Sequence, residues 1–212
     1  MSNIMRIIIL KTAKIVFCLV LLVSTNHSFS QPTRFSSFIS SYKGVSHDLR
    51  IGGNSGGYII YLQLMSYDKF NELGNIILYR KQHLEFITCL TEVKKKYEEW
   101  VERTKQINQK ESRETFKMPF KTHISFWSGK RWWRTKEINL IWSFYTISKG
   151  DQQNPEYLLS VATGVLHPPN NTFVTHTGFG LVFNSATEIQ TLLDELTVGK
   201  IQVALQTHLS VH

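Results

Sequence analysis

Two cysteines, five prolines and a charged fraction of 19% are all that the 212-residue sequence offers of those residue types. So few prolines, with 12 glycines, exclude a collagen-like or low-complexity chain. Long apolar runs are also missing. Ile15 to Val23, the longest, has nine residues, well short of the ~18–20 that cross a bilayer, which excludes a multi-span membrane protein. C-x-x-C, His-x-His and His-Glu-x-x-His spacings do not occur, so no zinc site is expected. Acidic residues are absent from the first 30 positions.

That last absence gives the N-terminus its meaning. Arg6, Lys11 and Lys14 precede the apolar run, and the small residues Ser28 and Ser30 follow it. A basic region, a short apolar region and a small-residue cleavage site read as a secretory signal peptide over residues 1–30. Cys18 lies inside the apolar region, so a lipoprotein cysteine is not expected. Residues 31–212 are expected to form one exported domain, in the periplasm or beyond. Removing the three leader bases from the 24 basic residues leaves 21 against 16 acids, a formal charge of +5. Such an excess suits an anionic partner without demanding one. Cys89 is the one cysteine left, so no intramolecular disulfide forms and the fold rests on its hydrophobic core.

Periodicity predicts strands, a long helix, more strands and a short helix. Tyr42 to Ile51 and Tyr58 to Met65 alternate across the glycine-rich loop Gly52 to Gly57, a hairpin pattern, and Ile76 to Arg80 reads as a third strand. Residues 31–41 read as an extended leader or edge strand. From about 82 to 108, Leu84, Ile87, Leu90, Val93, Tyr97, Trp100, Val101 and Ile107 recur at helical spacing, with lysines and glutamates interleaved on a solvated face. Gln106 to Glu114 reads as a loop. Strands are predicted at 120–127, 130–135, 138–147, 157–166 and 173–183, separated by turns that include Gly150-Asp151 and Asn170-Asn171. Ser185 with Glu188 caps a short C-terminal helix at about 186–196, and Ile201 to Leu205 reads as a last strand. Short connections imply antiparallel pairing. The expected fold is α+β, a curved antiparallel sheet or half-barrel of about seven strands with one long and one short helix.

The segment Phe126-Trp127-Ser128-Gly129-Lys130-Arg131-Trp132-Trp133-Arg134 concentrates aromatic and basic residues. With Ser128-Gly129 as a two-residue turn, Trp127 faces Lys130, Ser125 faces Trp132 and His123 faces Arg134, all on one side. Ile124, Phe126 and Trp133 then make the core side. Trp127, Trp132, Lys130, Arg134 and His123 form the candidate ligand surface, able to stack a sugar ring or hold an anion. The competing expectation, preferred because tryptophan is usually well buried, is that these rings are structural, lying under the long helix or beneath arginine side chains.

Catalytic patterns are thin. Gly53-Asn54-Ser55-Gly56-Gly57 fits G-x-S-x-G and is similar to the nucleophile segment of chymotrypsin-like serine proteases. A β-rich stretch follows where a nucleophile elbow needs a helix, and upstream only His47 and Asp48 remain, adjacent and on opposite strand faces. The remaining histidines, at 83, 123, 167, 176, 208 and 212, read as surface or strand residues, the acids form no assignable pair, and Cys89 reads as buried packing. The sequence thus reads as an exported, non-catalytic binding or interaction domain. The alternatives, in order, are a glycan- or anion-binding module, an inhibitor or immunity-type protein masking another exported protein, and a serine hydrolase using Ser55. No cofactor or nucleic-acid partner is expected, nor a transmembrane span after residue 30.

Overall fold

The computed structural model describes residues 31–54, 57–67, 73–148, 155–169 and 174–211. The expected signal peptide, Ser55 and the turns at Gly150-Asp151 and Asn170-Asn171 lie outside the described residues. Alternation governs β3 (Gly57–Ser66): Ile60, Leu62 and Leu64 are buried on one face, while Tyr61, Gln63 and Met65 lie on the other. One edge of this strand pairs with β4 (Leu73–Tyr79). Its opposite edge is divided, the first half taking β2 (Val45–Asn54) and the end, Met65 and Ser66, taking β11 (Phe179–Phe183).

The main sheet spreads from that junction. Beyond β4 come β6 (Lys121–Ser128) and β7 (Arg131–Arg134); beyond β11 come β10 (Glu156–Ala162), β9 (Ile141–Ile147) and β5 (Ser112–Phe116). β1 (Thr33–Ser40) joins β2, and the two-residue β8 (Ile138–Asn139) joins β6. All pairings are antiparallel, and the sheet curls into a half-barrel, the expected α+β architecture. Among the described residues the strands number eleven, eight of them along the main path of the sheet, close to the expected seven. Part of the excess is β8, split from its neighbour, and part is β5, which occupies the expected loop. Polar cross-strand bonds hold β5 at the edge: Ser112 with Thr146 at 3.0 Å and Thr115 with Ser143 at 2.9 Å.

Helix α1 (Arg80–Gln106) covers one sheet face. Its buried stripe is Gln82, His83, Phe86, Cys89, Leu90, Val93, Tyr97, Trp100 and Thr104, a i, i+3, i+4, i+7 pattern. Leu84 and Ile107, expected in that stripe, are exposed at 47% and 63%. Phe86 packs on Phe120 and Trp100 packs on Phe144, so the two ends of the helix sit over opposite wings of the sheet. The outer face carries i,i+4 pairs such as Lys94 with Glu98 and Glu92 with Lys96. Burial pushes the Cys89 thiol up to about 12, so it packs as an inert apolar group.

Helix α2 (Ala186–Glu195) starts as the sequence implies, Glu188 N donating to Ser185 Oγ at 3.2 Å. The return bond of a capping box goes elsewhere, with the Glu188 carboxylate accepting from the backbone of Asn184 and Ser41. The expected last strand at Ile201 to Leu205 is instead part of helix α3 (Val198–Val211). Ile201 and Val203 mimic strand alternation, yet the buried positions are Ile201, Ala204 and His208, at helical spacing, with Val203 63% exposed.

Two histidines fasten helices to the sheet, and a third ties strands together within it. His83 on α1 accepts at Nδ1 from the Tyr58 hydroxyl of β3 (2.8 Å) and donates from Nε2 to Leu196 O after α2 (2.6 Å). His47 donates from Nδ1 to Gln63 O at 3.0 Å and stacks on Phe38. His208 on α3 bonds Thr33 on β1. His47 is the strand residue that the sequence suggests, though buried, whereas the two on helices are neither surface nor strand residues, being 0% and 1% exposed. Burial lowers the His47 and His83 pKa below the ordinary 6.5, so on acidification the unfolded chain takes up protons that the folded chain refuses. Their contribution to stability is complete above about pH 6.5 and is lost as pH falls toward the folded-state values. Denaturant titrations are expected to give a lower midpoint at about pH 5.5 than at about pH 7.5, with a smaller difference in His83→Gln. Equal midpoints in the wild type would contradict this assignment.

Candidate functional site

The β6–β7 hairpin turns through Gly129 and Lys130, with φ of 61° and 68°, the positive pair that a type I′ turn demands. The turn therefore sits one residue later than the Ser128-Gly129 expectation. Trp127 pairs with Trp132, Phe126 with Trp133 and Ser125 with Arg134. Tertiary bonds select this register: Thr135 Oγ1 accepts from Ile124 N at 2.9 Å, Thr135 N donates to Ile124 O at 2.9 Å, and Thr135 O accepts from His123 Nδ1 at 3.0 Å. Shifting a turn by one residue moves each partner by two, which preserves the faces. Phe126 and Ile124 are buried, and Trp127, Trp132, Arg134 and His123 remain together on the opposite face. Lys130 leaves that face for the tip of the turn.

The expectation of structural tryptophans is corrected at two positions and holds in part at a third. Trp127 is 39% and Trp132 50% exposed, their rings edge to face with centroids 5.7 Å apart. Neither lies under α1, which covers the other face of the sheet. Trp133 is half-buried, donates from Nε1 to Ser128 O at 2.9 Å, and is covered by the Arg131 guanidinium at 3.5 Å.

Beside this pair lies a cleft of about 450 Å³. Trp132 and Arg134 form one wall, Tyr61 and Gln63 of β3 lie across from them, and Asn75 and Ser125 supply an amide and a hydroxyl. Strand alternation gathers them, because residues 61 and 63, 75, and 123 and 125 share one face through the β3–β4–β6 register. Sequence reading missed Tyr61, Gln63, Asn75 and also Arg50, which enters the cleft from β2. Their alternation was legible, but which strands are neighbours was not. Asp48 holds Arg50 at 3.2 Å and Arg34 at 3.2 Å. Arg134 lies 5.3 Å from the Tyr79 ring, which His123 meets edge-on, and burial raises the Tyr61 hydroxyl pKa while Arg134 opposes the rise. The lining combines aromatic faces, amides, hydroxyls and two guanidinium groups with the aliphatic surface of Pro32, Leu73 and Ile77, and among the described residues it holds no carboxylate.

The other candidates do not assemble. His47 and Asp48 point to opposite faces, His47 into the core and Asp48 onto the arginines. Ser55 lies outside the described residues. His123 borders a separate recess of about 570 Å³ in which Glu85 and Glu137 stand with Lys81 and Lys121, mixed in charge. Among the described residues no group of three His, Cys, Asp or Glu side chains gathers as a metal site would.

Acrylamide is expected to quench a component of the tryptophan fluorescence strongly, and Trp127→Ala with Trp132→Ala to remove that component. Each substitution should cost about 1–3 kcal/mol, one aromatic pair plus the buried half of the ring, and leave the fold intact. Weak quenching, or unfolding of both variants, would place these rings in the core. Comparison with known proteins yields no match: no family model, no curated protein and no solved structure resembles this chain.

Proposed function

We propose that residues 1–30 direct export and that residues 31–212 are a non-catalytic glycan-binding domain. The observation that carries this reading is the pair of half-exposed, mutually packed tryptophans, one of which, Trp132, lines a cleft that mixes apolar and aromatic surface with polar groups. A sugar ring has an apolar face of C–H groups that stacks on an indole and a rim of hydroxyls that bonds amides, hydroxyls and guanidinium groups. Trp132 offers the stacking surface; Gln63, Asn75, Ser125, Arg50 and Arg134 offer the rim partners. An inhibitor-type protein would instead favour a broad apolar patch without a cleft. Export is supported by the basic-apolar-small order at the N-terminus.

Electrophoresis of the processed protein through gels containing soluble polysaccharides tests the reading. At least one acidic or neutral polysaccharide should retard the wild type, and the Trp127→Ala, Trp132→Ala double variant should run unretarded while keeping its thermal transition. Equal mobility of wild type and variant in every gel would contradict it.

A further inference from the structure

A second recess, of about 390 Å³, opens on the same sheet face farther along β3. Met65 and Tyr67 line it where Tyr61 and Gln63 line the first. Residues 61, 63 and 65 alternate with the buried Ile60, Leu62 and Leu64, so both recesses belong to the uncovered face and adjoin through one strand. The chemistry is repeated. Tyr67 is 45% exposed, and its side chain shares a hydrogen bond with Ser160. Gly180 lies directly beneath its hydroxyl, where a Cβ would collide. Tyr145 is half-buried with the Arg113 guanidinium 5.3 Å from its ring, and Lys43 lies 5.5 Å from the Tyr42 ring.

The charge is repeated as well. Arg50, which is paired with Asp48, and Arg134 line the first recess, Lys43 and Arg113 the second, and among the described residues neither lining contains a carboxylate. The mixed-charge recess beside Glu85 and Glu137 is unlike both. We infer that the Tyr67–Tyr145–Arg113 recess is a second subsite and that one elongated acidic polysaccharide, carboxylated or sulfated, lies across β3 with a segment in each recess. This rests on the glycan reading of the tryptophan cleft. Two adjoining subsites on one chain add their affinities through a high effective concentration, so length should matter.

Calorimetric titration with oligogalacturonates and heparin-derived oligomers, each as a dimer and as a long oligomer, and with a long neutral glucose oligomer, separates the claims. In at least one acidic series the long oligomer should bind about tenfold or more tighter than its dimer. Arg113→Gln and Tyr145→Ala should bring the long oligomer close to dimer affinity, whereas Trp132→Ala should weaken both the long oligomer and the dimer. Arg113→Gln guards against a folding defect, since Arg113 is exposed on an edge strand. If Arg113→Gln and Tyr145→Ala both bind the long oligomer as wild type does while Trp132→Ala weakens it, the second subsite is wrong and the tryptophan cleft stands. If the neutral oligomer binds as tightly as the acidic ones, acidity is not what the face selects and the inference is overturned. If Trp132→Ala binds every oligomer normally, or none binds the wild type, both readings fall.

Discussion

Burial of α1 against one side of the curled sheet is the constraint on which the rest depends. Phe86, Leu90 and Val93 have no exposed surface and meet the inward residues of β3, β4 and β6 in one core. Truncating a ring such as Phe86 costs about 3–5 kcal/mol, comparable to the whole stability of a marginal domain. Helices α2 and α3 are held to the same assembly by the bonds of His83 and His208 and by the capped start at Ser185. No disulfide is available to share that burden, since Cys89 is the sole cysteine among the described residues and it is unpaired.

Covering one face of a sheet with every helix leaves the other face to water. Strand alternation fills that face with what the core does not take: tyrosines, tryptophans, glutamine, asparagine, serine and arginines. Aliphatic residues share the face as well: Ile77, Leu158 and Val182 are buried there, and Leu73, Ile141 and Ile147 are exposed. Trp127 and Trp132 stay 39% and 50% exposed even though they pack on each other, and packing alone does not call for two adjacent indoles on the open face. Ligand contact is the explanation we propose, and the same argument extends to Tyr67 and Tyr145.

The α+β class, the long helix, the start of the short one and the two faces of the tryptophan hairpin were legible in the sequence, because each rests on period and local capping chemistry. The hairpin register was not, since Ser128-Gly129 and Gly129-Lys130 are both acceptable turns and the choice falls to Thr135 and its partners on β6. Helix α3 was misread because the five residues from Ile201 alternate like a strand and declare their helical period only when His208 is counted. The cleft was half legible. Trp127, Trp132, Arg134 and His123 come from one hairpin, whereas Arg50, Tyr61, Gln63 and Asn75 come from strands whose adjacency is a tertiary fact.

The central claim is that one face of the sheet makes the fold and the other meets a ligand. The five tryptophans sample both faces: Trp100 and Trp142 are buried at 4% and 0%, Trp127 and Trp132 are half-exposed, and Trp133 lies between. The indole N–H signals of the 15N-labelled protein therefore report on each face separately during titration with a bound polysaccharide. The account predicts that the Trp127 and Trp132 signals move while those of Trp100 and Trp142 stay in place. Movement confined to Trp100 and Trp142, or none in Trp127 and Trp132 at saturation, would contradict it.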